Sequence, residues 1–272
     1  MTTKVHAIAQ TGFATGTNEL YDRARPSYPT ECISYIRQVS KSTAPLNINW
    51  AGTGIFTRAL LAHSDWAMSI DTLRAIEPSD SMRDVWMKTV NDNRSSIVKG
   101  TFDNTGVEDE WADLIIIAQA FHWCPDYGKA SAEFGRILKK DGAVVFIWNL
   151  EDRDGAGWVA QFRDRVEVHK KGTPLFPLGL WRETFSTPEY ISLFHPREEE
   201  EWAYHLLASE KIVTDRVQSE SFITILPPDE EAKVVEDVKG ILERGDGKVW
   251  INKEEGTYQY PYKTYAVVSR RK

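Results

Sequence analysis

Two glycines and an acid are the residues whose types and spacing point most directly to chemistry. Ala51-Gly52-Thr53-Gly54 separates a short strand-like segment, Leu46–Trp50, from the helical pattern of residues 55–66. Glycines at such a turn let the backbone approach a ligand closely, and the helix start behind them offers free N–H groups. Glu77 closes the next strand-like segment, 73–77. A carboxylate there can accept two hydrogen bonds from a ribose diol. Strand, G-x-G turn, helix, strand and terminal acid together indicate a cofactor containing adenosine. The dinucleotide fingerprint needs a third glycine where this chain has Thr57, which disfavours a nicotinamide-dependent oxidoreductase. No G-K-[ST] follows the turn, so the P-loop pattern is missing as well.

Other candidates carry a bland reading beside the chemical one. Glu77 is either the ribose acid or a solvated strand-end acid. His122 follows an apolar run and is either a general base or packing at the strand end. Arg25 reads as a contact to a ligand carboxylate or as a surface partner of Asp22. Cys124 reads as a buried apolar residue, since no base accompanies it in a recognised pattern. His169, His195 and His205 lack metal-site spacing, so no metal is expected. Phe176, Trp181, Phe185 and Tyr190 line either a substrate pocket or the core of an insertion.

These residues need a frame to hold them. Strand patterns at 46–50, 73–77, 96–100, 112–120 and 143–149 alternate with helical ones at 31–39, 55–66, 79–91 and 128–138. Ser79 or Asp80 is placed to cap the third of these helices. Continuous apolar runs among the strands predict an α/β fold, a doubly wound, mostly parallel sheet covered on both faces. Ligands in such sheets sit at the carboxyl ends of the strands. Residues 155–215 break the rhythm and read as an insertion over that edge, with Trp158, Val159, Phe162 and Val166 on one helical stripe and a further helical piece at 188–194. The acidic run 197–201 reads as a solvated helix start. Residues 222–226 read as a strand, 229–244 as an amphipathic helix and 262–269 as a terminal strand closing the sheet edge.

Composition bounds the rest. The chain has 272 residues, 42% hydrophobic and 27% charged, which excludes a disordered or fibrous protein. With 33 basic against 40 acidic side chains the net charge is −7, so a general nucleic-acid or membrane surface is not expected. Two cysteines make no disulfide framework and suit a reducing, cytoplasmic setting. No apolar run approaches the roughly 20 residues of a spanning helix.

Four segments, in order, carry a family likeness: YDRARPSYP at 21–29, AGTGIFTRALL at 51–61, IEPSDSMR at 76–83 and AQAFHW at 118–123. They resemble the class I S-adenosylmethionine-dependent methyltransferases, most nearly the type 11 small-molecule group and its fungal members. The likeness covers nearly the whole chain and is weakest from about 154 to 215. It implies a single domain over 1–272 with a Rossmann-like, seven-stranded sheet whose last strand is antiparallel. It also implies a covering segment at 1–30 and a helical lid at 155–215. The implied cofactor is S-adenosylmethionine and the implied partner a small-molecule methyl acceptor, with His122 as base. Ala51, Gly52 and Gly54 would flank the methionine part and Glu77 would hold the ribose. Met82, Thr101 and Phe102 would border the adenine. Ala118 and Gln119 would lie beneath the sulfonium, and Tyr21, Arg25 and Tyr28 would close over the cofactor.

One departure stands out. The family pattern has an acid and a glycine just before AGTG, and this chain has Leu46-Asn47-Ile48-Asn49-Trp50 there. A lost charge-assisted contact to the cofactor's ammonium is worth about 1.5–3 kcal/mol, or roughly ten- to a hundredfold in affinity. The departure therefore keeps a second reading open, a repurposed fold with weakened or lost cofactor binding.

Overall fold

The computed structural model describes residues 17–40, 46–50, 53–170 and 172–272, and of Thr17, Asn49 and Trp50 the backbone alone. Ala51 and Gly52 lie outside the described residues. Two helices, α1 (Thr17–Ala24) and α2 (Thr30–Val39), precede strand β1 (Leu46–Trp50). The alternation continues with α3 (Ile55–Ala62), β2 (Ile70–Ile76), α4 (Asp80–Thr89), β3 (Ser95–Val98), β4 (Ala112–Ala118), α5 (Tyr127–Ile137) and β5 (Leu138–Glu151). After it come α6 (Gly157–Glu167), α7 (Pro188–Leu193), β6 (Glu198–Ala208), α8 (Glu210–Gln218), α9 (Pro228–Arg244), β7 (Trp250–Asn252) and β8 (Thr257–Arg270).

The strands form one sheet in the order β3-β2-β1-β4-β5-β8-β6, with the short β7 paired to β8 beside this path. The first five are parallel, and β8 runs antiparallel to β5, β6 and β7. The expected α/β class and antiparallel last strand are thus present, with β7 as an addition. The order reverses between β1 and β4, which places the ligand-bearing crevice at their carboxyl ends.

Alternation along the central strands explains the two layers. Leu114, Ile116, Val145 and Ile147 face one side with Ile36 and Leu60, while Ile115, Ile117, Val144 and Phe146 face the other with Phe134 and Ile137. A third cluster packs α6, α8 and α9 around Trp158, Phe162, Val213, Val238 and Tyr260. Trp158, Val159, Phe162 and Val166 are all fully buried, as their spacing predicts. Asn47, unusual for a central strand, donates its N–H to Asp113 Oδ2 (2.8 Å) and its amide to Trp111 O (3.3 Å), so neighbouring β4 satisfies it.

Three local expectations fail. Residues 222–226 form successive turns rather than a strand, with Ile223 N–H donating to Glu220 O (2.9 Å) and Leu226 N–H to Ile223 O (2.9 Å). Their apolar side chains serve the third core cluster, where Phe222 and Ile223 are buried. The acidic run opens β6 rather than a helix. Arg182 and Arg197 both meet Glu199 (2.9 and 2.5 Å), and the exposed glutamates guard the sheet's outer strand against pairing with another chain. Residues 198–208, within the stretch read as an insertion, therefore belong to the sheet. The strand that closes this edge is accordingly β6, with β8 inside it.

Six charged side chains tie β5, α6, α8 and the segment after α1. Arg216 meets Glu151 and Glu220 at 2.7 Å each. Arg163 meets Glu220 and Glu167 at 2.9 Å each, and Arg25 meets Glu220 at 3.2 Å. Burial alone would push the Glu151 and Glu220 carboxyls up, but the guanidinia of Arg216, Arg163 and Arg25 outweigh it and hold both below the usual range.

Two expectations follow. Arg216→Met leaves two buried carboxylates short of a cation and should destabilise by about 3–5 kcal/mol, seen as a lower urea midpoint at unchanged slope. Gly54 has φ +101°, and an added Cβ would lie 2.8 Å from Val90 Cγ2 and 3.1 Å from Trp86 Cδ1. Gly54→Ala should therefore lose about 1–3 kcal/mol in the same measurement.

Candidate functional site

Gly54, at the N-terminus of α3, takes the left-handed conformation that glycine alone adopts without strain. It stands with Thr53 and Thr57 in a tight corner, Thr53 and Thr57 being buried. Thr57 accepts from the Trp86 indole (3.4 Å), so the residue that replaces a third glycine binds two helices together.

Glu77 follows β2 directly and is 8% exposed. Its Oε1 accepts from Ser79 N–H (2.9 Å), and Arg83 donates to its main-chain oxygen (2.7 Å) rather than to its carboxylate. Oε2 makes no hydrogen bond among the described residues. Burial raises the Glu77 pKa to about 7, opposed by the Ser79 bond and the Arg83 charge. Glu77 is thus a buried carboxylate without an ion pair at the sheet's carboxyl edge, an environment that perturbs its titration. Beside it Ser79 caps α4 by accepting from Met82 N–H (3.4 Å), and Met82 is 9% exposed. Thr101 lies in a tight turn closed by reciprocal bonds with Asn104, and Phe102 packs edge-on against Phe121 (5.7 Å).

Helix α1 roofs this edge. Asp22 receives Arg58 of α3 in a bidentate pair (2.8 and 2.9 Å), and Asn18 donates to Ser81 (2.9 Å). At the far end Arg25 donates to Ser219 Oγ and O (3.0 Å each) and to Glu220. Asn149 of β5 holds the following segment by donating to Ser27 O (3.0 Å). Asp22 thus pairs with Arg58, leaving Arg25 to face inward. Tyr28 packs against Phe56 of α3 (4.8 Å), so it supports the roof from the core.

Beneath the roof is a cavity of about 280 Å³. Tyr21, Arg25, Gln119, His122, Phe176 and Glu220 are among its lining residues. Gln119 ends β4 with φ +55° and donates its side-chain amide to Asn149 O (2.7 Å). Ala118 is buried below it. His122 Nδ1 accepts from the Trp148 indole (3.1 Å). An indole N–H only donates, so Nδ1 carries the lone pair and the neutral ring keeps its proton on Nε2. Burial and the charge of Arg25, against Glu220, lower the His122 pKa to about 3. The ring is therefore neutral at physiological pH, with its Nδ1 lone pair engaged by Trp148 and its N–H on Nε2. Cys124 is buried with its pKa raised to about 12 by burial, an inert thiol.

Phe176 lines the cavity, whereas Trp181 and Tyr190 belong to the second core cluster with Phe185 against it. Residues Arg163, Arg216, Glu151 and Glu220 also form the wall, and nothing in the sequence singles them out as a set. The available signal was an arginine, Arg163, placed four residues after Val159 on an otherwise apolar stripe. No cluster of His, Cys, Asp and Glu among the described residues could hold a metal ion, and no described helix is long and apolar enough to cross a membrane.

Residues 51–146 match a family model described as a methyltransferase domain. An uncharacterized methyltransferase of Mycobacterium tuberculosis is 27% identical over 222 residues, 82% of this chain and 82% of its own length. An uncharacterized methyltransferase-like protein of Schizosaccharomyces pombe is 29% identical over 218 residues, 79% of each chain. Among solved structures, a proposed type II methyltransferase of Anaeromyxobacter dehalogenans is similar in fold, with a TM-score of 0.62 at 16% identity over 91% of this chain and 97% of that one. The YcgJ protein of Bacillus subtilis gives 0.55 at 15% identity over 90% and 99%. Residues 51–146 thus match a methyltransferase domain, and the chain as a whole is similar in sequence and in fold to proteins described as methyltransferases.

Proposed function

We propose that this chain transfers a methyl group from S-adenosylmethionine to a small-molecule acceptor held in the cavity beside Gln119. One observation carries the reading: the sheet's carboxyl edge holds both the buried carboxylate of Glu77, one oxygen of which makes no hydrogen bond among the described residues, and a cavity under α1. The cavity of about 280 Å³ is sized for a small ligand, near the lower end of the roughly 300–1,000 Å³ of small-molecule sites.

The described residues fit the cofactor. Glu77 Oε2, which makes no hydrogen bond among the described residues, would be the acceptor a ribose diol needs, and Gly54 turns the chain into α3 in a conformation glycine adopts without strain. Met82, Thr101 and Phe102 would border the adenine. Ala118 and Gln119 would meet the sulfur end, with Tyr21 and Arg25 between the two ligands. The cofactor supplies an already activated methyl group. The protein's part is alignment of acceptor, methyl and leaving sulfur, and such positioning is worth around 7–11 kcal/mol in favourable models. The segment at 17–30 and the cover formed within 155–215, with Leu175 and Phe176 at the rim, would exclude water. The rival reading, a fold that has lost its cofactor, rests on the Leu46–Trp50 departure alone, and the side chains of Asn49 and Trp50 lie outside the described residues.

Calorimetric titration with S-adenosylhomocysteine tests this. Binding heat is expected, and its absence would sink the proposal. Glu77→Gln should weaken binding roughly ten- to a hundredfold. Ligand donors favour the ionised carboxylate, so affinity of the parent should tighten between pH 6 and 8 and that trend should vanish in Glu77→Gln. Without ligand the sign reverses. The folded-state pKa of about 7 lies above the ordinary 4.5, so the parent has this stability in full below 4.5 and loses it as pH rises through about 7. Unliganded Glu77→Gln should then melt above the parent at pH 8, with the gap closing toward pH 4.5.

A further inference from the structure

Among the described residues, the acids deep in the cavity wall are already engaged by cations. Glu151 is engaged by Arg216, and Glu220 by Arg216, Arg163 and Arg25. Glu167 is engaged by Arg163, and Asp152 faces Lys263 (3.4 Å). Asp154 stands on the exposed turn at the mouth. His122, which lines the cavity, has its lone pair on Nδ1 spent on Trp148, so its N–H is on Nε2. An alcohol or an ammonium must shed a proton to be methylated, and among the described residues the one wall carboxylate without an ion pair is that of Asp154, on the exposed turn.

Donors, by contrast, are in place. Arg25 is pinned by Ser219 and Glu220 through Nε and Nη2, while Nη1 makes no hydrogen bond among the described residues. Its side chain is 13% exposed and lines the same cavity as His122. A guanidinium nitrogen and an imidazole N–H on one wall suit an anionic oxygen acceptor. The cation on the cofactor's sulfur draws the same kind of ligand.

We infer that the acceptor is a small carboxylate, oriented by Arg25 and His122, and that the product is its methyl ester. The inference rests on the methyl-transfer reading above. A carboxylate oxygen forms the O–CH3 bond with its own lone pair as the C–S bond breaks and that electron pair returns to sulfur. The carboxylate and sulfonium charges cancel, a neutral ester and a thioether result, and no proton moves. Arg25 and His122 are binding and orienting groups for the carboxylate, and neither exchanges a proton.

The test uses the full chain with methyl-tritiated S-adenosylmethionine and matched probes: benzoate, cinnamate, octanoate and succinate against benzyl alcohol, benzylamine and benzamide. Methyl esters release volatile tritiated methanol in alkali, whereas ethers and methylamines do not. Alkali-labile label on one or more carboxylates, and none on the other probes, is the expected result. Saturation-transfer NMR on the complex with S-adenosylhomocysteine gives a second readout independent of turnover. The labelled carboxylate should bind there, and Arg25→Gln should weaken it tenfold or more. Alkali-stable label on the alcohol or the amine would overturn the inference, as would failure of every carboxylate to bind a complex that holds S-adenosylhomocysteine. A chain that does not bind S-adenosylhomocysteine at all would instead overturn the methyl-transfer reading and this inference with it.

Discussion

Buried charge must be neutralised where it stands, and in this protein that requirement organises the site. Glu220 is the hub: one oxygen serves Arg163 and Arg216, the other Arg25. Those three guanidinia come from α6, α8 and the segment after α1, which are far apart in sequence. A carboxylate at this depth is tolerable only if all three arrive, because desolvation of an unpaired ion outweighs most single contacts in a domain. The same pairs that close the fold thereby occupy Glu151, Glu167 and Glu220 of the cavity wall.

Much of the frame was legible from pattern. The runs at β4 and β5 are buried on both faces because parallel strands between helical layers have no solvent side, and their apolar continuity declared that. Ser79 was recognisable as a cap because a hydroxyl before a helical pattern meets free N–H groups, and it does accept from Met82. Two segments misled for opposite reasons. The apolar run 222–226 has the composition of a strand, but composition cannot say whether a neighbour is available to pair with. The glutamate run of β6 has the composition of a solvated helix start, yet the outermost strand needs charge on its exposed face, and arginines from other segments neutralise Glu199.

The site was legible in its backbone-determined parts and opaque in its long-range ones. Gly54 and Glu77 announce themselves through turn geometry and position at a strand end, which are local properties. The character of His122 depends on Trp148, one strand away, and no local pattern reveals that an indole will claim Nδ1. Arg25 was ambiguous between Asp22 and a ligand until Arg58 was seen to take Asp22.

The interlocked wall also has a bearing on how relatives of this protein diverge. Losing one member of the Glu151, Glu220, Arg163 and Arg216 set strands an opposite charge in the interior, so inherited changes there survive chiefly as charge-matched exchanges. Leu175, Phe176 and Pro177 at the rim carry no such tie. A single exchange at that edge of the cavity therefore leaves the ion pairs of the deep wall intact, whereas one within the wall does not.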